Sequence, residues 1–334
     1  MDRNILVGDS ESAPVGVVGE LLINGGTVGI TRNLRIGRDT ATGSGTVTID
    51  GGGLLEMGYG LYVGQTANAG SFFNLIDGTV NVTTQSNRSD GLFIGHREGG
   101  NGTLNISGGR MNVRRGAAEF SGDGNAGVAT SALNLSGDGV LDVEAGNITF
   151  GGNAGGVTVA VSMADTAFLT ANNVRFGEGA ESEVTLQLSG GAIVSRGSVR
   201  VAFAADAVAA VNISGGLLDA ATGFIGFGQG ARADVTVTMS GGEIAADRMG
   251  FANNDTATAT LNMTGGVINL ARNTGTASHA GGLRMQSAGA ALNIGGTAVV
   301  NAEKLYISDG GLLTLDGDAQ INLAGSTDGT PPDL

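Results

Sequence analysis

The sequence predicts an all-β fold, a parallel β-helix in which the chain winds through about twelve coils of roughly 26 residues. Two observations predict this solenoid. A phrase of alternating apolar and polar residues that ends in a glycine pair recurs along the chain, and two further short alternating runs follow it. Three short strands separated by corners complete one coil, and stacked coils bury a shared interior.

The first strand of each coil carries the glycine-pair phrase. Its clearest copies lie at 104–109, 211–216, 261–266 and 292–296. The second glycine of the pair recurs mostly 24 to 31 residues apart, which is a period typical of repeat solenoids. Strict alternation places Leu104 and Ile106 inside the coil and Asn105 outside.

The second strand follows the glycine pair directly, as in the runs at 111–113 and 141–143. The third lies beyond a corner of variable length, as in the runs at 34–36 and 61–63. We expect each strand to lie above its counterpart in the preceding coil, so that every face is a parallel sheet. A right-handed winding is expected from the general crossover preference, although left-handed solenoids exist.

Two sets of residues are candidates for ladders between coils. Alternation turns Phe120, Phe150 and Phe176 inward on successive coils, which predicts an internal aromatic stack. The outward position of the first strand is asparagine in many copies, and these residues predict a hydrogen-bonded structural ladder. Its members are Asn105, Asn134, Asn212, Asn262 and Asn293.

One copy departs from the phrase. The run at 161–165 is not followed by a glycine pair, so a different corner is needed there. Nothing before the last ten residues reads as a linker. We therefore expect one parallel β-helix over residues 1–324, with a linker or tail at 325–334.

Composition excludes several classes of protein. The chain has 62 glycines but no collagen period, and its 41% hydrophobic content argues against disorder. A formal net charge of −14 disfavours nucleic acid and anionic membrane surfaces as partners. No cysteine is present, so disulfides and thiolate metal sites are excluded. No apolar run is long enough for membrane insertion, and we find no export signal in this segment.

Residues with catalytic or metal-binding chemistry are scattered. His96 and His279 fall in different coils and are expected to be exposed loop residues. The acidic glycine loops at 121–125 and 136–139 lack the spacing of calcium sites, so turn chemistry is the preferred explanation. We expect no catalytic residue, cofactor or metal, and therefore no enzyme.

The third strand also carries arginines at its outward position, which we expect to form a solvated face on non-neighbouring coils. They are Arg35, Arg175, Arg200 and Arg284. A groove with two facing carboxylates beside an arginine or lysine would instead indicate a carbohydrate-active protein.

The motifs at 61–64, 102–109 and 132–139 resemble those of bacterial surface β-solenoid repeat proteins. The similar proteins are autotransporter-adhesin passengers and glycine-rich repeat proteins of the PEP-CTERM-sorted kind. That resemblance implies export to an extracellular or cell-surface location and a structural or adhesive role.

Three functions follow as expectations. The first is a non-enzymatic stalk or scaffold that presents loops at the bacterial surface. The second is a β-helix that binds or degrades polysaccharide on one outer face. The third is a self-assembling filament subunit that uses uncapped coil ends. The corresponding partners are surface glycans or other copies of the chain.

Overall fold

The computed structural model describes residues 4–8, 17–37, 43–65, 70–83, 91–122, 128–152, 155–220, 223–270, 281–308 and 310–324. In this part of the chain the regular elements are 36 β-strands, β1 to β36. They form three sheets of twelve parallel strands each. Among the same residues, no helix is long and apolar enough to cross a membrane.

The strands are assigned to the three sheets as follows. Sheet 1 contains β1 (Ile5–Val7), β4 (Leu34–Ile36), β7 (Leu61–Val63), β10 (Leu92–Ile94), β13 (Ala118–Phe120), β16 (Ile148–Phe150), β19 (Val174–Phe176), β22 (Val199–Val201), β25 (Phe224–Phe227), β28 (Arg248–Phe251), β31 (Gly282–Met285) and β34 (Lys304–Ile307). Sheet 2 contains β2 (Val18–Asn24), β5 (Ser44–Asp50), β8 (Ser71–Leu75), β11 (Asn101–Ile106), β14 (Thr130–Leu135), β17 (Thr158–Met163), β20 (Glu183–Leu188), β23 (Val208–Ile213), β26 (Asp234–Met239), β29 (Thr258–Met263), β32 (Ala290–Ile294) and β35 (Leu312–Leu315). Sheet 3 contains β3 (Thr27–Ile30), β6 (Gly53–Met57), β9 (Gly78–Val82), β12 (Arg110–Val113), β15 (Val140–Val143), β18 (Phe168–Ala171), β21 (Ala192–Ser195), β24 (Leu217–Asp219), β27 (Glu243–Ala245), β30 (Val267–Asn269), β33 (Val299–Ala302) and β36 (Gln320–Leu323).

Each coil contributes one strand to each sheet, in the order sheet 1, sheet 2, sheet 3. The first, second and third strands of the sequence pattern form sheets 2, 3 and 1, respectively. Consecutive coils pair in parallel and in register, so that Leu104 lies between Phe73 and Leu133. The predicted parallel β-helix with three strands per coil is confirmed. The right-handed winding stays a prediction.

The inward residues form one continuous apolar core. It extends from Val7 in the first coil to Ala302 in the eleventh, and partly buried residues of the twelfth coil, such as Leu305, pack against it. Leu104 and Ile106 are fully buried in it, while Asn105 between them is partly exposed. The alternation read from the sequence therefore assigns the inside and the outside of the coil correctly.

The corners are tight, and their backbone explains the glycine content. Gly51 and Gly137 turn the chain after the first-strand phrase with a φ of 58°, a conformation that glycine adopts without steric cost. In the exceptional copy, Asp165 takes the same conformation with a φ of 58°. Aspartate is among the few residues that tolerate it. The different corner predicted there is this aspartate turn, in which Asp165 accepts a hydrogen bond from the Gly137 backbone N–H at 2.9 Å.

Candidate functional site

The outer face of sheet 1 carries one column of outward side chains, which we call the outer column of sheet 1. From the first coil to the last it reads Leu6, Arg35, Tyr62, Phe93, Glu119, Thr149, Arg175, Arg200, Gly226, Gly250, Arg284 and Tyr306. Parallel strands are spaced about 4.8 Å apart, so neighbouring side chains of this column lie within contact distance, except at the two glycines. Arginine and aromatic residues dominate the column.

Stacked rings fill the column in the third and fourth coils. The rings of Tyr62 and Phe93 lie 4.9 Å apart and nearly parallel. His96 meets both edge-on, at 4.5 Å from Phe93 and 5.6 Å from Tyr62. The Arg35 guanidinium lies 5.3 Å from the Tyr62 ring. This packing corrects the expectation that His96 is an exposed loop residue, because the turn after β10 brings its ring back onto the sheet. His279 lies outside the described residues.

The arginines of the column correct a second expectation. Arg175 and Arg200 were expected on non-neighbouring coils, but they are register partners in adjacent strands. The Arg200 guanidinium lies 4.8 Å from the ring of Phe203, and that of Arg284 lies 5.4 Å from Tyr306. The flat, weakly hydrated guanidinium stacks well on aromatic rings. These side chains therefore pack against the sheet instead of forming a freely solvated face.

A first cavity of about 170 Å³ opens in the middle of the outer column. Its lining comprises Ala117, Glu119, Asn147, Thr149, Gly152, Arg175 and Glu178. Arg175 forms an ion pair with Glu178, and the Thr149 hydroxyl donates to a Glu178 carboxylate oxygen at 3.3 Å. Two carboxylates thus lie beside one arginine, which is the arrangement that sequence reasoning associated with carbohydrate chemistry.

A second cavity of about 180 Å³ lies further along the same face. Its lining comprises Phe224, Arg248, Met249, Gly250, Asn253, Arg284 and Gln286. No carboxylate is among these lining residues. The two cavities therefore differ in charge, since the first combines glutamates with one arginine whereas the second has two arginines.

The predicted asparagine ladder occupies one outward column of sheet 2, where it forms two separate runs. Asn134 donates to Asn105, and Asn105 donates to Asn74, each at 2.8 Å. In the second run, Asn293 donates to Asn262 at 2.9 Å. Asn212 stands apart, because its register partners are Gln187 and Thr238.

Sheet 3 carries asparagine runs that sequence reasoning missed. Asn322 donates to Asn301 at 2.9 Å, and Asn301 donates to Asn269 at 2.7 Å. Asn112 donates to Asn81 at 2.9 Å. The signal was present in the second strands, where asparagine stands between two apolar residues in the runs at 80–82 and 111–113.

Aromatic rings also stack inside the solenoid. The structure places Phe150 between Phe120 and Phe176, with ring centroids 4.8 Å and 4.9 Å away. All three side chains are buried. A second inner pair, Phe227 and Phe251, lies at 5.0 Å and was not singled out from the sequence. These rings fill the core and take no part in the outer face.

The described residues of the acidic glycine loops form no cluster of metal-ligand type. In the described part of the chain, no three His, Cys, Asp or Glu side chains converge. Residues 123–125 of the first loop lie outside the described residues. In the same loop, Ser121 is buried and its hydroxyl donates to that of Ser131 at 2.8 Å.

Two aspartates have shifted pKa values for opposite reasons. A two-pronged hydrogen bond from the exposed Arg232 side chain, at 2.5 and 2.6 Å, lowers the pKa of Asp206. The same contact raises the pKa of Arg232. Burial raises the pKa of Asp247, and the nearby Arg248 charge offsets part of that rise. Asp247 lies at the corner before β28, and its buried Oδ1 accepts no hydrogen bond from any described residue.

Comparison with known proteins adds no assignment. The chain matches no family model, no curated protein and no solved structure.

Proposed function

We propose that this chain is a non-enzymatic structural and adhesive rod at the bacterial cell surface or outside the cell. The supporting observation is the unbroken, in-register stacking of the strands in all three sheets. Twelve coils at the usual strand spacing give a body about 50 Å long. A rod of this kind spans distance and presents its faces and loops along its length.

The surface chemistry supports the same proposal. The formal net charge of −14 keeps an extended body soluble and prevents non-specific contact with anionic membranes. The resemblance of its repeat motifs to bacterial surface β-solenoid proteins supports the proposed location. The outer column of sheet 1 supplies arginine and aromatic groups for contact with surface glycans, and Asn253 and Gln286 beside it supply amides.

Small-angle X-ray scattering and a polysaccharide turnover assay test the proposal together. We expect scattering from an elongated particle of constant cross-section, with no release of new sugar ends from acidic or neutral polysaccharides. A globular particle would contradict the rod, and sustained turnover would contradict the non-enzymatic role.

The first cavity favours a second candidate, a polysaccharide-degrading activity. Glycoside hydrolysis uses two carboxyl groups that flank the scissile bond, and Glu119 and Glu178 line one cavity with Arg175. If this candidate holds, Glu119→Gln and Glu178→Gln each abolish turnover. The control Glu144→Gln changes an exposed residue that follows β15 in sheet 3, and it should leave turnover unchanged. Absence of turnover by the unmodified protein rejects the candidate.

Self-association is a third candidate. Ile307, Leu312 and Leu315 in the last described coil are 47%, 57% and 53% exposed. Exposed apolar side chains beside strands that have no further partner among the described residues favour pairing with another chain. Light scattering over a concentration series tests this candidate, since a mass that stays monomeric at all concentrations rejects it.

A further inference from the structure

The second cavity exists because a side chain is missing from the outer column of sheet 1. Most coils fill this column with a large residue, but β28 has Gly250 there. A Cβ at Gly250 would lie 2.9 Å from the Asn253 Oδ1 and 3.5 Å from the Gln286 Oε1. The floor of the cavity is therefore backbone, and two side-chain amides stand beside it.

Two cations, Arg248 and Arg284, line this cavity. Arg284 follows Gly250 in the column, and Arg248 begins the same strand as Gly250. The Arg284 guanidinium lies 5.4 Å from the Tyr306 ring, and that of Arg248 lies 5.4 Å from the Phe224 ring. Packing on aromatic rings holds both in place before any ligand arrives.

Among the described residues, neither guanidinium forms a salt bridge or a side-chain hydrogen bond. The Arg284 Nε is buried without an acceptor, so its terminal nitrogens are the donors left for the cavity. The neighbouring charged group is Asp247, whose carboxyl is buried beside Arg248 and does not line the cavity.

The remaining lining matches a hydroxyl-bearing ligand. The Asn253 and Gln286 amides each offer a donor and an acceptor, and Phe224 adds an apolar edge. The volume of about 180 Å³ is below that of pockets for drug-sized molecules. A single residue of a longer polymer is the size that suits it, and the polymer can continue along the open face.

We propose that the second cavity binds one uronic acid residue of an acidic polysaccharide, with Arg248 and Arg284 holding its carboxylate. Arginine binds carboxylates through paired, charge-assisted hydrogen bonds. Asn253 and Gln286 then bind the ring hydroxyls. This assignment rests on the proposed surface role for its choice of ligand class and gives that role a specific partner.

Isothermal titration calorimetry of the full chain tests the proposal, with a galacturonate hexamer as the probe. The fully methyl-esterified hexamer is the matched neutral probe, and inorganic phosphate is the anion alone. Three variants accompany the unmodified protein: Arg284→Gln removes a cation, Gly250→Thr fills the cavity, and Arg114→Gln removes an exposed cation elsewhere. Thr149 occupies the equivalent position in β16, so threonine suits this column.

We expect the unmodified protein and Arg114→Gln to bind the hexamer with affinities within about twofold of each other. The methyl ester and Arg284→Gln each weaken binding at least about tenfold, the loss expected for one charge-assisted contact. Gly250→Thr abolishes binding while the circular dichroism spectrum stays unchanged.

Three results would overturn the proposal. They are no binding of the hexamer by the unmodified protein, full binding by Gly250→Thr, and equal affinity for the hexamer and for phosphate. None of them bears on whether the chain is a rod, because the particle shape is measured separately by scattering.

Discussion

The side-chain amide of Asn134 donates a hydrogen bond to the side-chain Oδ1 of Asn105 at 2.8 Å and so joins two coils across 29 residues of sequence. Asn105 in turn donates to Asn74. It is therefore the middle member of the longer run in sheet 2, with a hydrogen bond on each side.

We predict that Asn105→Ala lowers the free energy of unfolding by about 1 kcal/mol, since one partly buried and one exposed hydrogen bond are lost. Chemical denaturation measures the change. Asn212→Ala is the matched control, because Asn212 has the same outward position but forms no side-chain hydrogen bond with a described residue. Equal losses in the two variants would show that the hydrogen bonds between coils contribute nothing.

Phe150→Ala is predicted to lower the free energy of unfolding by about 3 to 5 kcal/mol, because it leaves a cavity between two stacked rings. Phe168→Ala serves as the comparison, since that ring is 37% exposed on sheet 3. Phe168→Ala should lower the free energy of unfolding by less than about 1 kcal/mol. A similar effect of the two changes would contradict the assignment of the inner stack to the core.

Gly146→Ala tests the close approach of coils at a corner. A Cβ at Gly146 would lie 1.8 Å from the backbone oxygen of Gly116, so the variant must displace backbone. We predict a loss of about 2 kcal/mol or more in the free energy of unfolding. Gly29→Ala, where nothing lies within 4 Å, should be neutral or slightly stabilising. Tolerance of alanine at Gly146 would place the two coils further apart than described.

Asp247 is predicted to make the free energy of unfolding depend on pH. Its pKa is raised in the folded chain, mainly by burial, above the ordinary value of 3.8. The folded state therefore binds the proton more tightly, and stability falls as pH rises from 3.8 through the folded pKa. Asp247→Asn should raise the free energy of unfolding near pH 7 by on the order of 1 kcal/mol.

Denaturation of this variant and of the unmodified protein over a pH series measures the effect. The difference between them should vanish below about pH 3.8, where the carboxyl is protonated in both states. Asp255→Asn, at an exposed turn position, should show no such trend. If Asp247→Asn is still more stable than the unmodified protein at low pH, the carboxyl charge is not the cause of the stability difference.

The coil and its interior were predictable because alternation has a period of two and the glycine pair marks each turn. Leu104, Ile106 and the three stacked phenylalanines needed only that pattern. Contacts on the outer face were not predictable in the same way, because they depend on which residue lies in the adjacent coil, and corner lengths vary. Arg175 and Arg200 are 25 residues apart in sequence and one strand apart in space.

The second cavity left a signal in the sequence that counting repeats does not reveal. The runs at 224–227 and 248–251 have glycine at the position where the other strands of sheet 1 have a larger residue. In a chain with so many glycines, the sequence alone suggests that each of these two glycines is a corner residue. Only the register shows that Gly226 and Gly250 stand in the middle of a sheet face, where the absent side chain leaves space.

Because each coil adds the same rise, the number of coils fixes the distance between two points along the solenoid. The first cavity is centred on β16 and the second on β28, four strand steps apart in sheet 1, which is roughly 19 Å at the usual spacing. Duplication or deletion of a whole coil between them would lengthen or shorten that interval by one step and leave both cavities intact. The number of coils between the two cavities therefore sets the distance between them along the solenoid.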